Sequence, residues 1–275
     1  MILPGRNLFK RREVRTVLGE YIGKSLENRE ILLMTHIVVG YPSLKASYEL
    51  VKAMVASGVS LIELQIPFSE PIADGPVIMK ANQEALNGGI TPEIALQFAE
   101  RVANEFSVPF IIMSYVNIPF VYDIDRFSKR LGDIGIPGVI IPDLPLEESS
   151  GFIDSLTTHK VELIPLIAPT TSVERIKAIA HGSDAFLYCI SRKGVTGQST
   201  EFSESLSVYL RRVRGVTALP IAVGFGIAST NDVDALRGFA EIAVVGSQVL
   251  RIYDSSGVNG VGEFLRGLGG TRAQI

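Results

Sequence analysis

The chain holds a single cysteine, Cys189, among 275 residues, so it cannot form an internal disulfide, and a reducing compartment suits it. Its three histidines (His36, His159 and His181) are scattered. No Cys/His spacing of the kind that holds zinc occurs, and no metal site is expected. Nowhere do about 18 apolar residues run together, which leaves no candidate membrane span. Neither sign of charge is in excess: 26 basic and 29 acidic side chains give a net charge of −3, too weak a field to gather nucleic acid or an anionic membrane. The opening MILPGRNLFKRR has no apolar stretch ahead of its charges. No secretory signal is therefore expected, and a cytoplasmic location is.

Apolar residues, by contrast, make up 47% of the sequence, enough for a large core and too many for disorder. Eight short runs, at 31–40, 60–67, 109–117, 138–145, 162–169, 185–191, 220–226 and 241–247, alternate with longer segments of helical period. Their hydrophobicity is nearly continuous, as in parallel strands covered on both faces. Eight strand–helix units in about 250 residues predict an α/β fold, a (β/α)8 TIM barrel with an extra N-terminal helix, in a single domain over 1–275. A doubly wound open sheet would want a glycine-rich turn after its first strand, and VVGYPS is not one. Thr91-Pro92 and Ser229 read as helix starts. Residues 1–29 form a helical extension in which the amphipathic, basic NLFKRREVRTVL is expected to cover the barrel floor. The tail, 269–275, is expected to fray.

Chemistry in this fold gathers at the carboxyl ends of the strands. There GFGI (224–227) and VVGS (244–247) offer glycines that let backbone N–H groups approach an anion, and the Ser247 hydroxyl adds a donor; both suit phosphate. Gly194 and Gly197 bracket Val195-Thr196 in a loop composed like a lid. In SLIELQIP, Ile62, Leu64 and Ile66 face the helices, so Glu63 points into the barrel. Burial there raises a carboxyl's pKa and makes it a useful proton carrier near neutrality. Asp74 lies over the same mouth in a loop edged by Pro71 and Pro76, although Asp-Gly is also a common turn pair. Tyr188 shares the pocket or is a core aromatic, and Asp143 in IPDLP is a further, structural acid. No lysine points inward from a strand. The residues alone imply a barrel lyase or isomerase acting on a small phosphorylated compound through carboxylates, without metal or imine.

The stretches IELQIPFSEPIADGP, ANQEAL, IIMSYVN, IPDLP, IAPTTS, SRKGVTG, PIAVGFGI and VVGS, in this order and in the matching barrel units, resemble the alpha subunits of tryptophan synthase over about residues 30–255. The resemblance implies retro-aldol cleavage of indole-3-glycerol phosphate to indole and D-glyceraldehyde 3-phosphate. It assigns Glu63 to proton transfer and Asp74 to the indole N–H. It places Tyr188, Tyr115 and His36 among the substrate-binding residues, Gly197, Phe225, Gly226, Gly246 and Ser247 at the phosphate, and Thr196 in a lid that reaches toward Asp74. It implies a beta subunit as partner, in an alpha2beta2 heterotetramer met through loop 67–76 and residues 117–119, with pyridoxal phosphate in that partner and no cofactor in this chain. A weakly active subunit serving mainly as an allosteric activator of the partner is the alternative. The family usually has glycine at Gln65, aspartate at Glu70 and an apolar or aromatic residue at His36. Gln65 is expected to crowd the pocket or hydrogen-bond Glu63. The His36 imidazole is expected to be a hydrogen-bonded wall of the pocket; the alternative is that it lowers the acid's pKa and weakens protonation of the substrate.

Overall fold

A computed structural model describes residues 16–190, 204–224 and 226–269. The predicted runs form strands β1 (Leu32–Val38), β2 (Leu61–Gln65), β3 (Phe110–Met113), β4 (Gly138–Ile140), β5 (Glu162–Ile164), β6 (Leu166–Ile167), β7 (Leu187–Ile190), β8 (Ile221–Gly224) and β9 (Ile242–Val245). Their pairings are parallel, and β1 lies between β2 and β9. The predicted run 162–169 is split at Pro165 into β5 and β6. Proline has no N–H for a ladder, and there the backbone switches neighbour: β5 pairs with β4, whereas β6 pairs with β7. The Pro165 carbonyl still accepts from Tyr188 N at 3.0 Å. The cylinder therefore closes through this one interrupted run, which rules out an open doubly wound sheet.

Alternation along the strands builds two apolar layers. Leu33, Ile37, Ile62, Leu64 and Ile112 pack outward against the helices. Leu32, Met34, Leu61, Ile111, Phe186 and Ile242 fill the interior. Thr91 and Ser229 cap helices as predicted. The Thr91 hydroxyl accepts from Ile94 N, and Ser229 forms a reciprocal box with Asp232. Beyond 241–247 follows a long helical segment, Ser247–Gly269, broken at Gly257 (φ 65°, ψ −167°). Of the tail expected to fray, residue 269 ends this helix and 270–275 lie outside the described residues. Among the described residues, no helix is long and apolar enough to cross a membrane.

The floor is covered by a helix at Val17–Leu26, which overlaps the end of the predicted segment 7–18; residues 7–15 lie outside the described residues. Leu18 and Ile22 are fully buried in the interior cluster. The capping Thr16 hydroxyl accepts from Gly19 N at 3.2 Å and donates to Glu162 Oε2 at 2.6 Å. Glu162, at the start of β5, also accepts from Asp184 N (2.7 Å), Ala185 N (2.8 Å) and Ser183 Oγ (3.0 Å). These donors offset the cost of burying the carboxylate.

Candidate active site

Glu63 is the middle residue of β2. Its neighbours Ile62 and Leu64 belong to the outer layer, so its carboxylate is directed into the barrel, where it is 4% exposed. Its register partner on β1 is His36, 5% exposed, whose Nδ1 lies 3.2 Å from Glu63 Oε1. Burial disfavours the imidazolium, but the Glu63 carboxylate, with smaller help from Asp74 and Gln65, outweighs burial and raises the His36 pKa above 6.5. Tyr188 stands in the same space, and burial, reinforced by Glu63 and Asp74, keeps its phenol neutral, well above 10.

The loop after β2 brings the second carboxylate over this corner. Asp74 N bonds Pro71 O at 2.9 Å, making a tight turn. Gly75 and Pro76 then start the helix Pro76–Asn87. Asp74 Oδ2 accepts from Gln65 Nε2 at 2.7 Å and from Asn82 Nδ2 at 3.4 Å. Burial raises the Asp74 pKa, against the pull of Gln65 and His36. Asn82 fastens the loop: its Oδ1 accepts from Phe68 N at 2.9 Å, and its Nδ2 donates to Ile78 O at 2.9 Å. Tyr115 lies behind the loop rather than on the cavity wall. Its ring stacks on Phe68 at 5.1 Å, and its hydroxyl accepts from Ala73 N at 3.1 Å.

A cavity of about 270 Å³ opens here, lined by His36, Glu63, Asp74 and Tyr188 and by Gly226, Gly246 and Ser247. Gly226 has φ 87°, a conformation that favours glycine. Ser247 begins its helix and lines the cavity with Gln248, and a helix N-terminus favours an anion. Gly246 packs beside the imidazole: a Cβ there would lie in ordinary contact, 3.6 Å from the His36 Cβ. Thr196, Gly197 and Phe225 lie outside the described residues. Asp143 is a loop anchor, with Oδ1 accepting from Val116 N at 2.9 Å. Among the described residues, no group of three or more His, Cys, Asp or Glu is placed to hold a metal ion.

A family model described as "Tryptophan synthase alpha chain" matches residues 23–261. The protein belongs to this family. Tryptophan synthase alpha chains have lyase activity, the cleavage of indole-3-glycerol phosphate. The alpha chain of Desulforapulum autotrophicum is 47% identical over 252 residues, covering 92% of this chain and 100% of that one. The alpha chain of Syntrophotalea carbinolica is 48% identical with the same coverage. A structure of Mycobacterium tuberculosis tryptophan synthase superposes with a TM-score of 0.88 at 29% identity, covering 94% of this chain and 99% of that chain.

Two features distinguish this alpha subunit's site from the sequence-based expectation. Gln65 does not bond Glu63; its amide nitrogen is committed to Asp74. Asn82 emerges as a loop fastener that the strand-end reading does not reach. The available signal was an asparagine, a poor helix former, buried inside a helix between Ala81 and Ala85.

Proposed function

We propose that this cavity carries out the lyase reaction of the tryptophan synthase alpha chain family with Glu63 and Asp74 as its catalytic residues. The carrying observation is that the two carboxylates, drawn from a strand and from the following loop, line one cavity together with Gly246 and Ser247. The indole ring is a poor electron sink until C3 is protonated. Glu63, as the acid, gives C3 a proton; the resulting indolenine nitrogen takes up the electron pair of the bond between C3 and the glycerol carbon as that bond breaks. Glu63, now a carboxylate, removes the proton of the adjacent glycerol hydroxyl, which becomes the aldehyde of D-glyceraldehyde 3-phosphate. Asp74 accepts a hydrogen bond from the ring N–H and stabilises the positive charge developing there. Tyr188 and His36 bound the ring, Tyr115 holds the Asp74 loop from behind, and Gly226, Gly246 and Ser247 receive the phosphate. Gly197, Phe225 and Thr196 complete the phosphate site and lid in this reading.

The same reading gives the protein a beta subunit as partner, in an alpha2beta2 assembly within the cytoplasm, with pyridoxal phosphate confined to the partner. Two apolar surfaces support it: Ile72 on the Asp74 loop, and Phe120 and Val121 on the helix Asn117–Tyr122, are exposed. The test is free indole from indole-3-glycerol phosphate and the purified protein, with and without a beta subunit. Glu63→Gln should lower release by about 10²–10⁴-fold. Undiminished release by Glu63→Gln would refute the assignment. A wild-type protein that stimulates the partner yet releases no indole would point to an activator.

A further inference from the structure

Among the described residues, three buried side-chain atoms lack a hydrogen-bond partner: His36 Nε2, Glu63 Oε2 and Gln65 Oε1. All three residues lie in one corner of the cavity region. Glu63 and Gln65 are successive inward residues of β2, and β1 sets His36 opposite Glu63 and Val38 opposite Gln65. Because Asp74 requires a donor, the Gln65 amide presents its nitrogen to Asp74, which leaves its carbonyl as an acceptor on the side of His36. The imidazole thus has a carboxylate at Nδ1 and an amide carbonyl beside it. With Nε2–H toward the amide carbonyl, the ring either donates from Nδ1 to the Glu63 carboxylate as imidazolium or accepts at Nδ1 from the Glu63 acid as neutral imidazole. His36 and Gln65 thereby connect the two carboxylates.

We propose that His36 and Glu63 share one proton, as an ion pair in the solvated cavity and as a neutral pair when substrate fills it, with Gln65 coupling the pair to Asp74. The proposal rests on the lyase reading above. Expelling water disfavours separated charges. The proton then moves from His36 Nδ1 to Glu63 Oε1, giving neutral imidazole and the carboxylic acid that C3 requires. Glu63 delivers a proton to C3, takes one from the substrate hydroxyl, and the pair ends with the proton count it began with. His36 acts through Glu63 and is a positioning residue for its proton. This is the opposite of the alternative in which the imidazole weakens the acid. The titratable groups facing His36 are Glu63 from β2, Asp74 from the loop behind it and Tyr188 from β7. The elevated His36 pKa agrees with this arrangement.

Histidine NMR tests it, since the protein has three histidines and His36→Phe identifies the signal. His36 should titrate above 6.5, fall by at least about one unit in Glu63→Gln and fall by less in Gln65→Leu. Indole and glycerol 3-phosphate added together should shift the His36 signal to the neutral form at a pH where the free protein shows the charged one. The basic limb of indole release should follow the His36 midpoint and move down by about one unit in His36→Phe. A His36 midpoint at or below 6.5, one unmoved by Glu63→Gln, or a charged signal that persists with both ligands bound would overturn the proposal. Absence of indole release by wild type at every pH would instead refute the lyase reading, with the titration still deciding the pair.

Discussion

Asn82→Ala removes the side chain that fastens the Asp74 loop at both ends. Two of its bonds, from Phe68 N and to Ile78 O, are 2.9 Å long, and each contributes about 1 kcal/mol. Two more, from Gln65 Nε2 and to Asp74 Oδ2, are 3.4 Å long and contribute little. The Phe68 N–H also loses its acceptor, so the expected destabilisation is about 2–3 kcal/mol. Unfolding in urea, followed by far-ultraviolet circular dichroism, measures it. The effect on activity should be larger than stability alone implies, because Asp74 keeps Gln65 but loses the frame that sets its height. Misplacement of about 1 Å costs about 10²-fold, so kcat/KM should fall by about 10–100-fold. With no tryptophan in the sequence, the fluorescence of released indole is read against a tyrosine background. Asn82→Asp sharpens the test: it keeps an oxygen for Phe68 N–H but sets a second carboxylate against Asp74, raising the Asp74 pKa further. It should retain more stability than Asn82→Ala and less activity. An Asn82→Ala protein with wild-type kinetics and a loss under about 0.5 kcal/mol would refute the view that Asn82 holds the loop.

Stability should fall with rising pH as His36 loses its proton. Its folded pKa exceeds the ordinary 6.5, so its contribution is complete below 6.5 and vanishes as pH rises through the folded value. Urea midpoints should show this decline in wild type, with the His36 component missing in His36→Phe. Glu162→Ala strips the Asp184 and Ala185 amides of their acceptor and releases Thr16. It should cost about 2–4 kcal/mol and speed hydrogen exchange in Val17–Leu26, while indole release by the folded protein stays near wild type. Gly246→Ala should be tolerated, because its Cβ has 3.6 Å to His36 and 3.8 Å to Ile78. Gly246→Val adds methyl groups that do not fit and should raise KM by about tenfold.

The barrel was legible because period-two burial leaves a clear mark: in SLIELQIP the outward Ile62, Leu64 and Ile66 oblige Glu63 to turn inward. Chemistry at strand ends then gathered Asp74, Tyr188, Gly226, Gly246 and Ser247 around it, and the cavity contains all five. Elements were less legible where a local signal misled. Pro165 divides a run that reads as one strand. Gly257, Gly260, Gly262 and Gly267 dilute the helical pattern of Ser247–Gly269, although Val261 and Leu265 are fully buried. Of the floor segment expected at 7–18, only the part from Thr16 onward lies among the described residues, and there the Thr16 cap starts the helix. Side-chain partnerships were least legible. That Gln65 turns to Asp74 instead of Glu63, or that Tyr115 lies behind a loop, depends on rotamers and loop height that strand periodicity does not encode.

The floor helix has a consequence for traffic. With Leu18 and Ile22 buried in the interior cluster, the described residues close the barrel floor beneath Glu63. In the lyase reading, traffic to Glu63 then runs through the cavity at the strand ends. Whatever covers that cavity, a bound phosphoester or a docked protein, cuts the acid off from bulk hydrogen ions for as long as it stays.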